Sequence, residues 1–319
     1  MVSASKVTHY SVAPKKPSDR HGVVSLPVAD VSSAARREAQ MPVSRLALTT
    51  FVIVSGSLAV GATGWDAARA TPAPSSVPAS PTALAQAPAG ADLGIRWARI
   101  PAGTFQMGCV PDDGDCTPNE EPRHPVTLTR AYDLMTTAVT LGMFRAYVTA
   151  TGANAVDQPA WNTDARQPVV NVTWDEAANV CGWMDGRLPT EAEWERAARG
   201  GRDGGQFPWG DARPTSAPGA VNGARFSSSS TAPVARFAAN PYGLFDMAGN
   251  VWEWVADRYG PYSAAVTDPR GPVKGESRVV RGGSWYVDPS FLRVSYRSVL
   301  APGVRSGDFG FRCARDVSP

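Results

Sequence analysis

The chain has 319 residues, 43% of them hydrophobic and 10 of them Trp, enough to enclose at least one sizeable core. Its 31 basic and 29 acidic residues leave a formal charge of +2, so no strong field draws it to a polyanion, and nucleic acid is excluded as an expected partner.

Residues 1–44 read as a polar tail. Residues 46–62 (LALTTFVIVSGSLAVGA) form the one long apolar run, preceded by Arg36, Arg37 and Arg45 and followed by Ala68-Arg69-Ala70, an A-x-A pattern. That is the layout of an export signal, and residues 45–70 are expected to be a signal peptide or a signal anchor. The run is diluted by Thr, Ser and Gly and is barely long enough to span a bilayer, so cleavage is the first expectation and a membrane anchor through 46–62 the second. Either way the remainder is exported, periplasmic or facing the periplasm or exterior. Residues 71–92, rich in Pro, Ala and Ser, read as an extended tether that cannot bury a core. The folded domain is expected over 93–319.

WARIPAGTFQMGCV from Trp97 and HPVTLTRAYDLM from His124 are strand-like runs punctuated by Pro101 and Gly103, and predict an early sheet. Thr140 predicts the cap of a short helix with Leu141, Phe144 and Val148 on one face and Gly152 as its stop. Thr173-Trp-Asp-Glu176 and Thr190-Glu-Ala-Glu193 both match the capping box, in which the hydroxyl takes one free helix N–H and the glutamate folds back onto another. The first of these helices should bury Ala177, Val180, Cys181 and Met184, and the second Trp194, Ala197 and Ala198 before Gly200-Gly201 ends it. From there to Asn240 the chain is rich in Gly, Pro, Ser and Asn, which predicts long ordered loops that need a metal, a disulfide or aromatic plugs to hold them.

Export makes the four cysteines legible, because an oxidising compartment favours disulfides. Cys109 and Cys116 flank a short acidic loop containing Gly114 and can close a ring. The rival reading, free thiols holding a metal, lacks the C-x-x-C spacing that a zinc site normally needs.

Four motifs, RLPTEAEWE at 187–195, GNVWEW at 249–254, RGGSW at 281–285 and GFRCARD at 310–316, closely resemble the formylglycine-generating enzyme (sulfatase-modifying factor) family over about residues 100–316. The resemblance implies an irregular α+β domain related to C-type-lectin-like folds, with low secondary-structure content and long ordered loops. It pairs Cys181 with Cys313. It also implies a structural calcium held at the positions of Asp246, Gly249, Val251 and Glu253, a hard all-oxygen donor set that suits the ion. A second family calcium site, beginning at Asn222 and Gly223, lacks its acidic partner here, because Arg225-Phe-Ser-Ser follows.

In catalytic members of that family, two cysteine thiolates after Gly-Gly-Ser bind copper(I) and activate oxygen, a task for soft sulfur ligands. Here Val287 stands where the first should be, and no cysteine lies between Cys181 and Cys313. Copper is therefore not an expected cofactor. His124 is the one histidine of the folded region and is expected to be a loop residue bonded locally, so no Ser/His/Asp triad can form around Ser284. The remaining pocket candidates are Trp252, Ser284 and Asp308, with Trp285, Tyr286, Asp288 and Arg297 beside them; such a group can bind a polar, partly aromatic ligand or be a satisfied structural network, the first reading being favoured for Asp308 and the second for Arg297.

Two functional readings follow from the resemblance. One is an exported oxidase without the copper-binding cysteines, acting on a peptide or secondary-metabolite substrate, as in siderophore maturation. The other is a non-catalytic scaffold that binds a peptide, protein or small molecule. A formylglycine-generating oxidase that modifies sulfatases is a third, which would have to recruit Cys109 or Cys116.

Overall fold

A computed structural model describes residues 93–317; the signal and tether expected over 1–92 lie outside them. Ten short strands and three α-helices follow one another in the order β1 (Trp97–Ile100), β2 (Gly103–Met107), β3 (His124–Leu128), β4 (Tyr132–Met135), α1 (Leu141–Thr151), α2 (Trp174–Trp183), α3 (Glu191–Arg199), β5 (Trp252–Arg258), β6 (Val266–Thr267), β7 (Arg278–Arg281), β8 (Arg297–Leu300), β9 (Phe309–Phe311) and β10 (Ala314–Asp316). The class is α+β.

Each helix starts where its cap demands. The Thr140 hydroxyl accepts the Met143 N–H at 3.3 Å, and Thr173 and Thr190 form complete capping boxes with Glu176 and Glu193. α1 and α3 end on Gly152 and Gly200, both left-handed, where a side chain would be strained.

The strands form three sheets. β4 is the middle of the first, antiparallel to β1 and β10; β3 is the middle of the second, antiparallel to β2 and parallel to β6. The third runs β8-β7-β5-β9, with β5 antiparallel to β7 through a bulge and parallel to β9. This sheet lies between two apolar cores. Of adjacent β7 residues, Val280 joins the core of α1, α2 and Trp254, while Val279 joins that of α3, Ile100 and Phe105. Trp183, Trp194 and Trp254 are fully buried. Burying a large apolar side chain stabilises by roughly 1.5–3 kcal/mol.

Between Arg199 and Trp252 there is no α-helix or strand among the described residues. Side-chain amides pin this stretch instead. Asn240 donates to the carbonyls of Ala197 and Ala198 at the end of α3, and Asn250 both accepts from and donates to the backbone of Ala232.

Arginines hold the frame together. α3 turns Glu191, Glu193 and Glu195 inward or sideways to Arg297, Arg187 and the pair Arg199 and Arg281. Arg293 reaches Glu120 and Asp113, and Arg312 reaches Glu253. Arg281, Arg293 and Arg312 are wholly buried, where hydrogen bonds must offset desolvation; Arg281 meets this through its two terminal nitrogens, while its Nε has no hydrogen-bond partner and lies 3.6 Å from Glu191.

Both disulfides are present, Cys109 with Cys116 and Cys181 with Cys313, and no free cysteine remains. The second links α2 to the segment between β9 and β10.

Candidate functional site

The Gly282-Gly283-Ser284 turn follows β7 and is forced by packing. Both glycines are left-handed, and a Cβ on Gly283 would fall 2.9 Å from the Phe291 carbonyl oxygen. The turn sends Ser284 fully inside. Its hydroxyl donates to Asp308 at 3.2 Å and accepts the Tyr286 N–H at 3.3 Å. Asp308 accepts a second bond from Ser306 at 2.5 Å, and its backbone carbonyl takes the Trp252 N–H at 2.8 Å. The three pocket candidates, Trp252, Ser284 and Asp308, thus lie together. They form a closed hydrogen-bond network in which both Asp308 oxygens are occupied, and Trp252 packs in the core against Tyr296.

Above this network lies an aromatic ledge. Trp161 meets Trp285 edge-on at 5.4 Å, and Trp285 meets Tyr286 edge-on at 5.5 Å. Trp285 is fixed by its indole N–H on the Gly307 carbonyl, whereas Tyr286 is 71% exposed. Val287 is half-buried among Phe207, Trp209 and Leu292, and Asp288 is exposed with a contact from the Ser227 hydroxyl.

Arg297 does not belong to this site. β8 runs antiparallel to β7 and sets Arg297 opposite Arg281, where it makes a bidentate pair with Glu191 at 2.6 and 2.7 Å. Its guanidinium lies 3.9 Å from the Tyr262 ring centroid. His124 is likewise displaced from expectation: it opens β3 and is buried, not in a loop, although its Nδ1 bonds locally to the Pro122 carbonyl at 2.8 Å.

Of the predicted calcium donors, Glu253 is already spent. Its oxygens take three bonds from Arg312, at 2.8 to 3.0 Å, and one from the Trp194 indole at 2.7 Å. Sequence reasoning missed this because Arg312 is distant in the chain, and β9 pairing with β5 brings it in. Asp246 is different. It holds a left-handed conformation, accepts only the Ala235 N–H among its described side-chain bonds, and makes none of the described ion pairs. Burial, with the Glu253 charge adding to it, pushes its carboxyl up to about 6. The Gly249 carbonyl accepts the Val251 N–H. Of the four positions, Asp246 thus keeps a carboxylate outside the described ion pairs, whereas the Glu253 side chain is committed to Arg312 and Trp194. Cys109, Cys116 and Glu120 also bring ligand atoms within 4.8 Å of one another, but the sulfurs are bonded together and Glu120 is bound to Arg293, which holds its carboxyl below the usual range.

Comparison with known proteins agrees with this architecture. The model of the sulfatase-modifying factor enzyme 1-like domain matches residues 92–317. A formylglycine-generating enzyme of Streptomyces coelicolor is 36% identical over 282 residues, covering 69% of this chain and 88% of that protein. Among solved structures, PvdO from Pseudomonas aeruginosa superposes with a TM-score of 0.62 at 30% identity, covering 69% of this chain and 94% of its own. Treponema denticola variable protein 1 gives 0.56 at 28%, covering 70% and 95%.

Proposed function

The chain belongs to the sulfatase-modifying factor enzyme 1-like family, and within it we propose an exported member that binds a peptide or secondary-metabolite ligand on the ledge of Trp161, Trp285 and Tyr286 without copper-thiolate chemistry. One observation carries this reading: all four cysteines are tied up in disulfides, and Val287 follows the Gly-Gly-Ser turn, so no thiolate is available beside it to hold copper(I). An exposed tyrosine on a rigid aromatic base gives contact area at low entropic cost, which suits a ligand with a planar group. The two disulfides support export to an oxidising compartment. No helix among the described residues is long and apolar enough to cross a membrane.

Calcium would be held by the Asp246 carboxylate with the carbonyls of Gly249 and Val251, and would supply structural charge compensation rather than chemistry. What supports it is Asp246 itself, a carboxylate that makes none of the described ion pairs and whose one described side-chain hydrogen bond comes from the Ala235 N–H.

Membership of a family that includes formylglycine-generating enzymes favours a second reading, an oxidase of a peptide or secondary-metabolite substrate at the same ledge. One assay tests the absence of copper chemistry and another separates the two readings. Purified protein given copper(I) and a Cys-x-Pro-x-Arg peptide should leave the peptide unconverted, and copper-dependent formylglycine in the product would overturn the proposal. Consumption of oxygen with a catechol-bearing peptide, abolished by Tyr286→Ala, would favour the oxidase.

A further inference from the structure

A second cavity lies away from the ledge, at the far end of β5. It encloses about 410 Å³ between β3, the first turn of α3 and the segment after β5, and its walls include His124, Glu191, Asp257, Tyr262 and Arg297. Two of its carboxylates differ. Glu191 is neutralised by the bidentate Arg297 and has Arg281 Nε 3.6 Å away. Asp257 is 4% exposed and makes none of the described ion pairs; its one described hydrogen bond comes from the Glu191 backbone N–H, 2.8 Å from Oδ2. A buried carboxylate with one donor keeps acceptor capacity unmet.

His124 adds a second free acceptor. It too is 4% exposed, and because Nδ1 must donate to the Pro122 carbonyl, the neutral ring carries its lone pair on Nε2, which has no partner among the described bonds. The imidazole and the Tyr262 ring lie 4.8 Å apart and give the cavity an aromatic wall, to which Met107 and Ala192 add apolar surface. Three arginines border the cavity: Arg297 is committed to Glu191, Arg258 donates to the Gly275 carbonyl, and Arg270 is exposed, and none of them makes a described ion pair with Asp257. These carboxylate and imidazole atoms do not gather into a metal-sized cluster, since the one such group among the described residues is that of Cys109, Cys116 and Glu120. The missing complement is a hydrogen-bonding cation with an organic body.

We propose that this cavity is a second ligand site, independent of the ledge, that takes a primary amine: an ammonium group donating to Asp257 and to His124 Nε2, with a short apolar or aromatic body against Met107 and Tyr262. The state of Asp257 fits such a role. Burial, with Glu191 next to it, pushes its carboxyl up to about 7, so it stands near half-ionised at neutral pH and an arriving cation restores its charge. The other charged or titratable groups around it are Glu191 and Glu193 on α3, Arg297 on β8, Arg281 on β7, Arg258 on β5, Arg270 in the segment after β6, Tyr262, and His124 on β3.

Calorimetric titration of the whole protein with benzylamine, and with benzyl alcohol as its neutral isostere, tests the proposal. Benzylamine should bind at least about tenfold more tightly than the alcohol at about pH 8, and should lose about tenfold between pH 8 and pH 6 while the alcohol does not. Asp257→Asn should abolish the preference for the amine, and Tyr286→Ala, which trims the ledge, should leave it intact. Equal binding of amine and alcohol, no amine binding at about 10 mM, or an unchanged preference in Asp257→Asn would each overturn it. The pH comparison uses the unmodified protein, so it decides the matter even if Asp257→Asn does not fold.

Discussion

β5 carries two buried carboxylates four residues apart, Glu253 near its start and Asp257 near its end, and they live in opposite electrostatic settings. Glu253 is saturated by Arg312 and Trp194; Asp257 has one backbone donor and no ion pair among the described contacts. The first is a clamp that fastens β9 and the end of the domain to the central sheet. The second carries an electrostatic cost with no structural gain comparable to a clamp, the pattern expected where stability is given up for a site. Charge alone does not reveal what a buried acid does. Its partner does.

The largest expected loss comes from unfastening the Glu253 end at its covalent neighbour. Cys313 follows Arg312 directly, and its disulfide with Cys181 spans 132 residues against 7 for Cys109–Cys116. Loop entropy then assigns about 5 kcal/mol to the first and about 2 kcal/mol to the second. Cys313→Ser should accordingly shift the denaturation midpoint clearly further than Cys109→Ser; equal shifts would mean that the long bridge constrains nothing the fold does not already hold.

Arg312→Met comes next, at about 3–5 kcal/mol, because it strands Glu253 as an unpaired buried charge. Chemical denaturation measures it, and the double variant Arg312→Met/Glu253→Gln should recover part of the loss. A neutral result for the single variant would erase the distinction between the two ends of β5.

Asp257→Asn sharpens the contrast in the other direction. The folded carboxyl titrates at about 7, above the roughly 3.9 of an unfolded aspartate, so the native state binds the proton more tightly. Its contribution is therefore favourable at low pH and is lost as pH rises toward and through 7. Relative to wild type, Asp257→Asn should gain stability on the order of 2–4 kcal/mol between about pH 4 and pH 8. A difference that stays flat over this range would show the Asp257 carboxylate to be compensated in the folded protein after all.

The smallest effect belongs to Asp246. Chelator should lower the melting temperature of wild type by a few degrees, as expected for a ligand that binds only the native state, and Asp246→Asn should remove that response. Glu253→Gln should leave it largely in place, because its side chain is committed to Arg312. If Glu253→Gln alone abolished the chelator effect, the donor set would be the one the sequence resemblance implied.

Much of this was readable in the chain before folding. The three threonine caps, with glutamate three residues on at Thr173 and Thr190, define all three helix starts, because a cap is a local device whose chemistry sits within one turn. The apolar positions of α2 and α3 are buried as their spacing requires. The buried arginines were not readable. An arginine such as Arg281 or Arg293 looks solvated in sequence, and only strand register and the packing of α3 reveal its acid. Arg297 shows the same limit: its structural pairing was the favoured reading, but its partner Glu191 becomes visible only through the antiparallel return of β8. The Asp257 cavity left a faint trace, a carboxylate after the apolar Val255-Ala256 of WEWVADR, but that Asp257 goes without an ion pair depends on Glu191 having claimed Arg297.

The first sheet has β4 at its centre, with β1 on one side and β10 on the other. A ribosome makes β1 and β4 early and β10 last among the strands, so half of β4's hydrogen-bonding edge waits through the synthesis of everything between. The domain cannot mature in instalments. A chain built this way stays unfinished until its final strand emerges, which lengthens the window in which a chaperone must shield it.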